Sequence, residues 1–353
     1  MYTLGSALRF TLFGESHSEC VGGILEGVPK GTAIDEKAIE RDMSLRKPSA
    51  GIGTPRKEDD RVEFTEGVCD GMTDGGPIRF IIRNKNTDSS KYAKFNVTPR
   101  PGHADLPALF KFKGHEIKGG NQFSGRLTAP MVAAGSIAKQ HLLTHGVEVH
   151  AFARSIGPVA DPEERTVLDA KASENYPTRA CGAELNERMS AAILSAAADG
   201  DSVGGVVECI AVGLPIGFGG IWFEALDSEI AKAVFSIPAC KGVEFGKGFA
   251  LAGMRGSESN DPFFFDGGIR TKTNNMGGIL GGMSDGAPLV FRAVFKPTPS
   301  IGKEQDTVNL REMRNDKVAV EGRHDPCIVP RAASVVEAAA ALVIADQMMR
   351  EYQ

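Results

Sequence analysis

The sequence predicts an α+β protein of layered build, with antiparallel sheets and a pair of small-residue helices at its centre. Three observations carry this. Strand candidates are short, bounded by turns and not regularly separated by helices, which favours antiparallel over doubly wound parallel pairing. Two proline-led stretches, Thr128 to Ala138 and Ile328 to Ala338, are helical by length and composition, and their Ala, Gly and Ser residues let helix backbones approach closely. Several motifs also occur twice in the same order, so the chain reads as one 1–353 unit with pseudo-repeat halves near 1–150 and 200–353.

In chain order, Leu8 to Phe13 is strand-like, and Gly27-Val28-Pro29-Lys30-Gly31 precedes a helix over Asp35 to Ser44. Gly71 to Ile78 is a Gly/Asp/Pro turn opening the apolar strand Phe80-Ile81-Ile82. The first proline-led helix follows. Between the halves, Gly157 to Ala183 is charged and carries Pro158, Pro162 and Pro177, the composition of an exposed connection, and leads to a helix around Leu185 to Ala198. Gly213 to Gly217 echoes the first glycine–proline turn ahead of a helix over Phe223 to Phe235. Gly282 to Leu289 echoes the second, opening the strand Val290 to Phe295.

Composition narrows the function classes. There are 42 glycines in 353 residues, about 12%, without a G-x-y period and with 42% hydrophobic residues, so they serve turns and close backbone approaches in a folded chain. A net charge of −5 is a poor footing for nucleic-acid binding. Arg9 and Glu15 interrupt the only apolar stretch of Met1 to His17, so no secretory leader is expected, and the charge-free apolar run Ala338 to Ala345 is far below a membrane span of ~20 residues. Six scattered cysteines without a C-x-x-C pair read as reduced thiols rather than staples or zinc ligands, and a cytoplasmic protein is expected.

Candidate chemistry sits in glycine-flanked polar motifs. Gly14-Glu15-Ser16-His17-Ser18 lacks the closing glycine of a hydrolase elbow, which leaves His17 as an acid or base candidate. Arg100-Pro101-Gly102-His103-Ala104-Asp105 and Gly322-Arg323-His324-Asp325 each gather Arg, His and Asp just upstream of a central helix, and together they point to one acid/base site built from both halves. Gly119 to Arg126 offers backbone N–H groups and an arginine at a helix start, as a phosphate requires, although no Walker loop occurs. Lys296 to Ile301 adds a cation and two hydroxyls; Arg41, Arg46, Lys47 and Arg56 add a basic run. A non-catalytic phospholigand-binding module would use the same arginines and glycine loops without needing the histidines and the aspartate. An ordinary phosphatase or kinase would instead need a metal or a nucleotide site.

Five motifs resolve the choice by resemblance. Gly14 to His17, Arg100 to Asp105, Ser236-Ile237-Pro238-Ala239-Cys240-Lys241-Gly242-Val243-Glu244, Gly277 to Gly282 and Arg323 to Cys327 occur in the order found in the chorismate synthase family, and the similarity runs from about residue 5 to 348. The resemblance implies a β-α-β sandwich with central helices between two antiparallel sheets. It also implies a homotetramer, reduced FMN as cofactor, NADPH only where the enzyme reduces its own flavin, and no metal. The implied reaction is 1,4-elimination of phosphate from 5-enolpyruvylshikimate 3-phosphate. By the same resemblance His17, His103 and Asp325 are catalytic, and Arg46, Arg100, Arg126 and Arg323 grip the substrate. FMN binding falls to Gln122, Phe123, Ser124, Pro238, Ala239, Gly281, Lys296, Pro297, Thr298, Pro299, Ser300 and Arg323. Two positions depart from the family pattern: Lys47 and Gln122 stand where arginine is commoner, and a lysine keeps charge but loses the bidentate fork. The loop Lys47 to Pro55 and the stretch Asn86 to Asn96 are expected to close over ligands.

Overall fold

The structure, a computed structural model, describes residues 2–49, 51–54, 59–85, 90–320 and 324–351. Parts of both expected closing segments lie outside these ranges. Two five-stranded sheets, antiparallel throughout, form the outer layers. In spatial order the first holds Tyr2–Leu4, Arg9–Gly14, Cys20–Glu26, Ile78–Arg83 and Glu63–Glu66. The second holds Cys240–Phe245, Leu289–Phe295, Gly205–Val212, Glu148–Ile156 and Val159–Ala160. In Ile78–Arg83 and Leu289–Phe295 alternate residues are buried, so each strand turns one face inward.

Helices α1 (Glu36–Leu45), α2 (Asp105–Lys111), α3 (Thr128–Thr144), α4 (Val167–Ala172), α5 (Ala183–Ala198), α6 (Leu226–Phe235), the single turn α7 (Gly256–Ser259) and α8 (Val329–Glu351) complete the frame. Helix α1 starts where the Asp35 side chain accepts the backbone N–H groups of Lys37 and Ala38. The proline-led helices α3 and α8 pack on each other between the sheets, α3 against Cys20–Glu26 and α8 against Glu148–Ile156 and Gly205–Val212. Their contact is close enough that a Cβ on Gly135 would stand 2.4 Å from Ala338 Cβ. By length and composition α8 could cross a membrane, yet its most apolar stretch is wholly buried inside the molecule. Ion pairs fix the layer: Lys139 of α3 meets Asp42 of α1 at 2.9 Å and Glu337 of α8 at 2.5 Å.

The segment Gly157 to Ala183 is more than an exposed connection. It contains α4, started by a reciprocal capping box between Thr166 and Asp169, and it buries Ala170 against Phe152 and Ile210 of the second sheet. Of the charges that mark the segment in sequence, Glu163, Glu164 and Lys171 are exposed, whereas Asp161 and Arg179 are buried. The glycine–aspartate turns are two-residue-armed hairpins, Val68–Cys69 with Met72–Thr73 and Ile279–Leu280 with Met283–Ser284, each followed by an inner strand of a main sheet.

Candidate active site

One cavity of about 830 Å³ opens between the halves, and segments from both line it. His103 lies on the turn before α2, which Gly102 makes possible with φ +69°. Its Nδ1 is 3.0 Å from the Pro101 carbonyl, which only accepts, so Nδ1 carries the proton and Nε2 accepts from Ser300 Oγ at 2.9 Å. Burial, and then the Arg100 charge, pull the His103 pKa down to about 4, so the ring is neutral at pH 7. His17 Nδ1 is 2.9 Å from Ser16 Oγ, and the ring stands edge-on to Tyr92 at 5.6 Å. Gly119 makes room for it: a Cβ there would lie 2.1 Å from His17 Cε1.

Each predicted arginine among the described residues, Arg46, Arg100 and Arg126, is already held by a carboxylate. Arg100 donates Nε and Nη2 to the two oxygens of Asp105 at 2.7 and 2.8 Å, and Nη2 also to Gly119 O at 2.9 Å, with Phe95 beneath the guanidinium at 4.7 Å. Arg46 and Arg126 converge on Asp60. Asp325 accepts from Arg331 Nη1 through Oδ2 at 2.8 Å, while its buried Oδ1 has no partner. Burial raises the Asp325 pKa against the pull of Arg331. Arg331 also donates Nε to the Arg46 carbonyl at 2.9 Å, joining α8 to the end of α1.

Beside His103, Lys296 donates to the Gly102 carbonyl at 2.5 Å, and burial followed by the nearby Lys241 lowers its pKa. The Thr298 hydroxyl is buried and without a partner. Gln122, Phe123, Ser124, Pro238, Ala239, Lys296, Thr298, Pro299 and Ser300 all line the cavity, as do His17, His103, Asp325, Arg46, Arg100 and Arg126. Two predicted positions do not. Gly281, at φ +62°, forms the tip of a hairpin away from this wall, and Pro297 packs its backbone toward Gly204 instead. Arg323 lies outside the described residues. Asp60, Tyr92, Lys241 and Arg331 line the cavity without having been singled out as site residues. Arg331 follows the proline that opens α8, a first-turn position beside the Arg/His/Asp motif, and that was the one available signal.

Comparison with known proteins agrees with this geometry. The family model described as chorismate synthase matches residues 8–349. The chorismate synthase of Korarchaeum cryptofilum is 48% identical over 98% of this chain and 97% of its own length. That of Thermococcus kodakarensis is 47% identical over 98% and 97%, and one from Dehalococcoides mccartyi 46% over 99% and 96%. A solved structure titled "Crystal Structure of Chorismate Synthase" superposes with a TM-score of 0.79 at 29% identity, covering 98% of this chain and 93% of that one. A fold of two antiparallel sheets around paired helices, an arginine-lined cavity that brings His17, His103 and Asp325 together, and full-length similarity lead to one conclusion: the chain belongs to the chorismate synthase family.

Proposed function

We propose that this cavity performs the family's carbon–oxygen lyase reaction, the trans-1,4-elimination of phosphate from 5-enolpyruvylshikimate 3-phosphate to chorismate in the shikimate pathway, with His17, His103 and Asp325 as its catalytic groups. The observation that carries the assignment of roles is their convergence, from three distant segments, on one cavity walled by Arg46, Arg100 and Arg126. A substrate bearing a phosphate and two carboxylates needs such a wall. His103, held neutral with its Nε2 lone pair toward Ser300, is ready to take a proton once an anion offsets the Arg100 charge. His17, anchored through Ser16, is assigned the proton that meets the departing phosphate.

The residues present fit reduced FMN. Lys296, Thr298 and Ser300 offer a cation and hydroxyls, Thr298 Oγ1 and Asp325 Oδ1 are buried polar atoms without partners, and Phe123, Pro238 and Ala239 give an apolar wall. When bound, reduced FMN supplies electron density that assists departure of the phosphate, with no net redox change. NADPH enters only if the enzyme reduces its own flavin. Gly281 and Arg323 remain part of the proposed FMN contacts, and Arg323 of the substrate contacts. A cytoplasmic homotetramer whose halves arose by duplication completes the reading; exposed Ile221, Trp222, Phe223 and Phe265 provide apolar surface for a further copy.

Phosphate release measured anaerobically with and without reduced FMN tests the proposal. Release dependent on reduced FMN, and nearly abolished in His103→Ala, is the expected result; flavin-independent turnover would refute it.

A further inference from the structure

Arg46 and Arg126, assigned above to substrate anions, share one buried counter-ion. Asp60 accepts from Arg46 Nη1 through Oδ2 at 2.9 Å and from Arg126 Nη1 through Oδ1. Its side chain is 3% exposed and all three residues line the cavity. The guanidinium groups are also aimed by neutral acceptors: Thr128 Oγ1 at 3.0 Å and Gly125 O at 3.2 Å for Arg46, Asn84 Oδ1 at 2.9 Å and Arg83 O at 3.1 Å for Arg126. Those neutral groups set direction, whereas Asp60 alone among these acceptors offsets charge.

We propose that Asp60 is a positioning residue that acts through Arg46 and Arg126, holding them as one fixed pair and leaving the trio a single net positive charge, so that the cavity releases inorganic phosphate readily. The inference rests on the proposed function for its meaning but not for its test. A phosphate carries close to two negative charges at neutral pH. With the Asp60 negative charge taken from beside the two guanidinium groups it would dwell longer, and release would slow turnover.

Asp60 has φ +49°, a left-handed conformation that asparagine and glycine both accept, so Asp60→Asn and Asp60→Gly leave the backbone at ease. Binding of inorganic phosphate to the full chain is measured by calorimetry, alongside steady-state kinetics. In Asp60→Asn the affinity for phosphate is expected to rise on the order of tenfold, the change expected for removing one negative charge at partly screened range. KM and kcat should fall together, a split that mere structural damage does not produce. Unchanged or weaker phosphate binding in folded Asp60→Asn would overturn the proposal, as would failure of both variants to fold, which would make the carboxylate purely structural. Wild-type protein that binds phosphate but does not turn over substrate would refute the proposed function, while the phosphate comparison would still decide the role of Asp60.

Discussion

His103 gives the sharpest quantitative test, because its environment fixes both the sign and the size of a pH effect. The ring titrates near 6.5 in an unfolded chain and near 4 in the folded one, where burial and then Arg100 oppose the charged form. Between those values the unfolded chain binds the extra proton, so stability rises with pH across the window, is complete above 6.5 and is lost as pH falls toward 4. At about 1.4 kcal/mol per pH unit the full effect is about 3 kcal/mol. Replacing the ring with glutamine removes the titration while keeping polar atoms for Ser300 and the Pro101 carbonyl. Urea denaturation of wild type and His103→Gln at pH 7, 6, 5 and 4 isolates the term, since every other group titrates in both proteins. The wild type should lose about 3 kcal/mol more than the variant over that range. Curves that stay parallel within about 1 kcal/mol would refute the neutral, desolvated histidine and with it the assigned direction of proton movement. Inorganic phosphate in the cavity should shift the His103 titration upward, readable by nuclear magnetic resonance of the ring, because it offsets the Arg100 charge.

Three further perturbations address the groups around it. Gly119→Ala drives a methyl into the space of the His17 ring, 2.1 Å from Cε1, and should lower kcat on the order of a hundredfold, as displacement of a catalytic group by about 1 Å does; steady-state kinetics at near-normal activity would show the ring position to be unimportant. Arg331→Gln removes the guanidinium that opposes the burial-driven rise of the Asp325 pKa, so the acid limb of the pH–rate profile should move to higher pH, and an unmoved limb would remove Asp325 from the titrating groups. Gly135→Ala places a Cβ 2.4 Å from Ala338 Cβ where helix backbones meet, and should cost about 1–3 kcal/mol in denaturant unfolding; a cost near zero would mean the two helices move apart freely.

Much of this was readable from residues because local chemistry carries it. Short turn-bounded strands and small-residue helices give antiparallel sheets around a close helix pair, and Gly102 next to His103 needs only its own turn to present the ring. The capping box of α4, Thr166 to Asp169, is equally local, but three prolines and many charges around it masked a helix of six residues. What escaped depends on distance in sequence. Asp60 matters because it meets Arg46 and Arg126 across folded chain, and Arg331 because it meets Asp325 and the Arg46 carbonyl at once. Gly281 shows the converse: a glycine at a hairpin tip reads the same in sequence as one cleared for a ligand, and its own loop gives no local signal that separates the two.

The contacts that close the cavity cross between the halves. Ser300 donates to His103, Lys296 donates to the Gly102 carbonyl, and Arg331 donates to the Arg46 carbonyl. Each joins a group carried with the second sheet or α8 to one carried with α1 or the approach to α2, so the site exists only when the two halves are in register. That register is set by α3 against α8, where Gly135 meets Ala338 and Lys139 meets Glu337. Cores resist small displacements because they are packed like solids, which makes this seam a stiff reference frame. The anion-binding arginines, which are buried beside this frame, carry their own carboxylates: Asp60 for Arg46 and Arg126, and Asp105 for Arg100, offset charge that has been taken out of water.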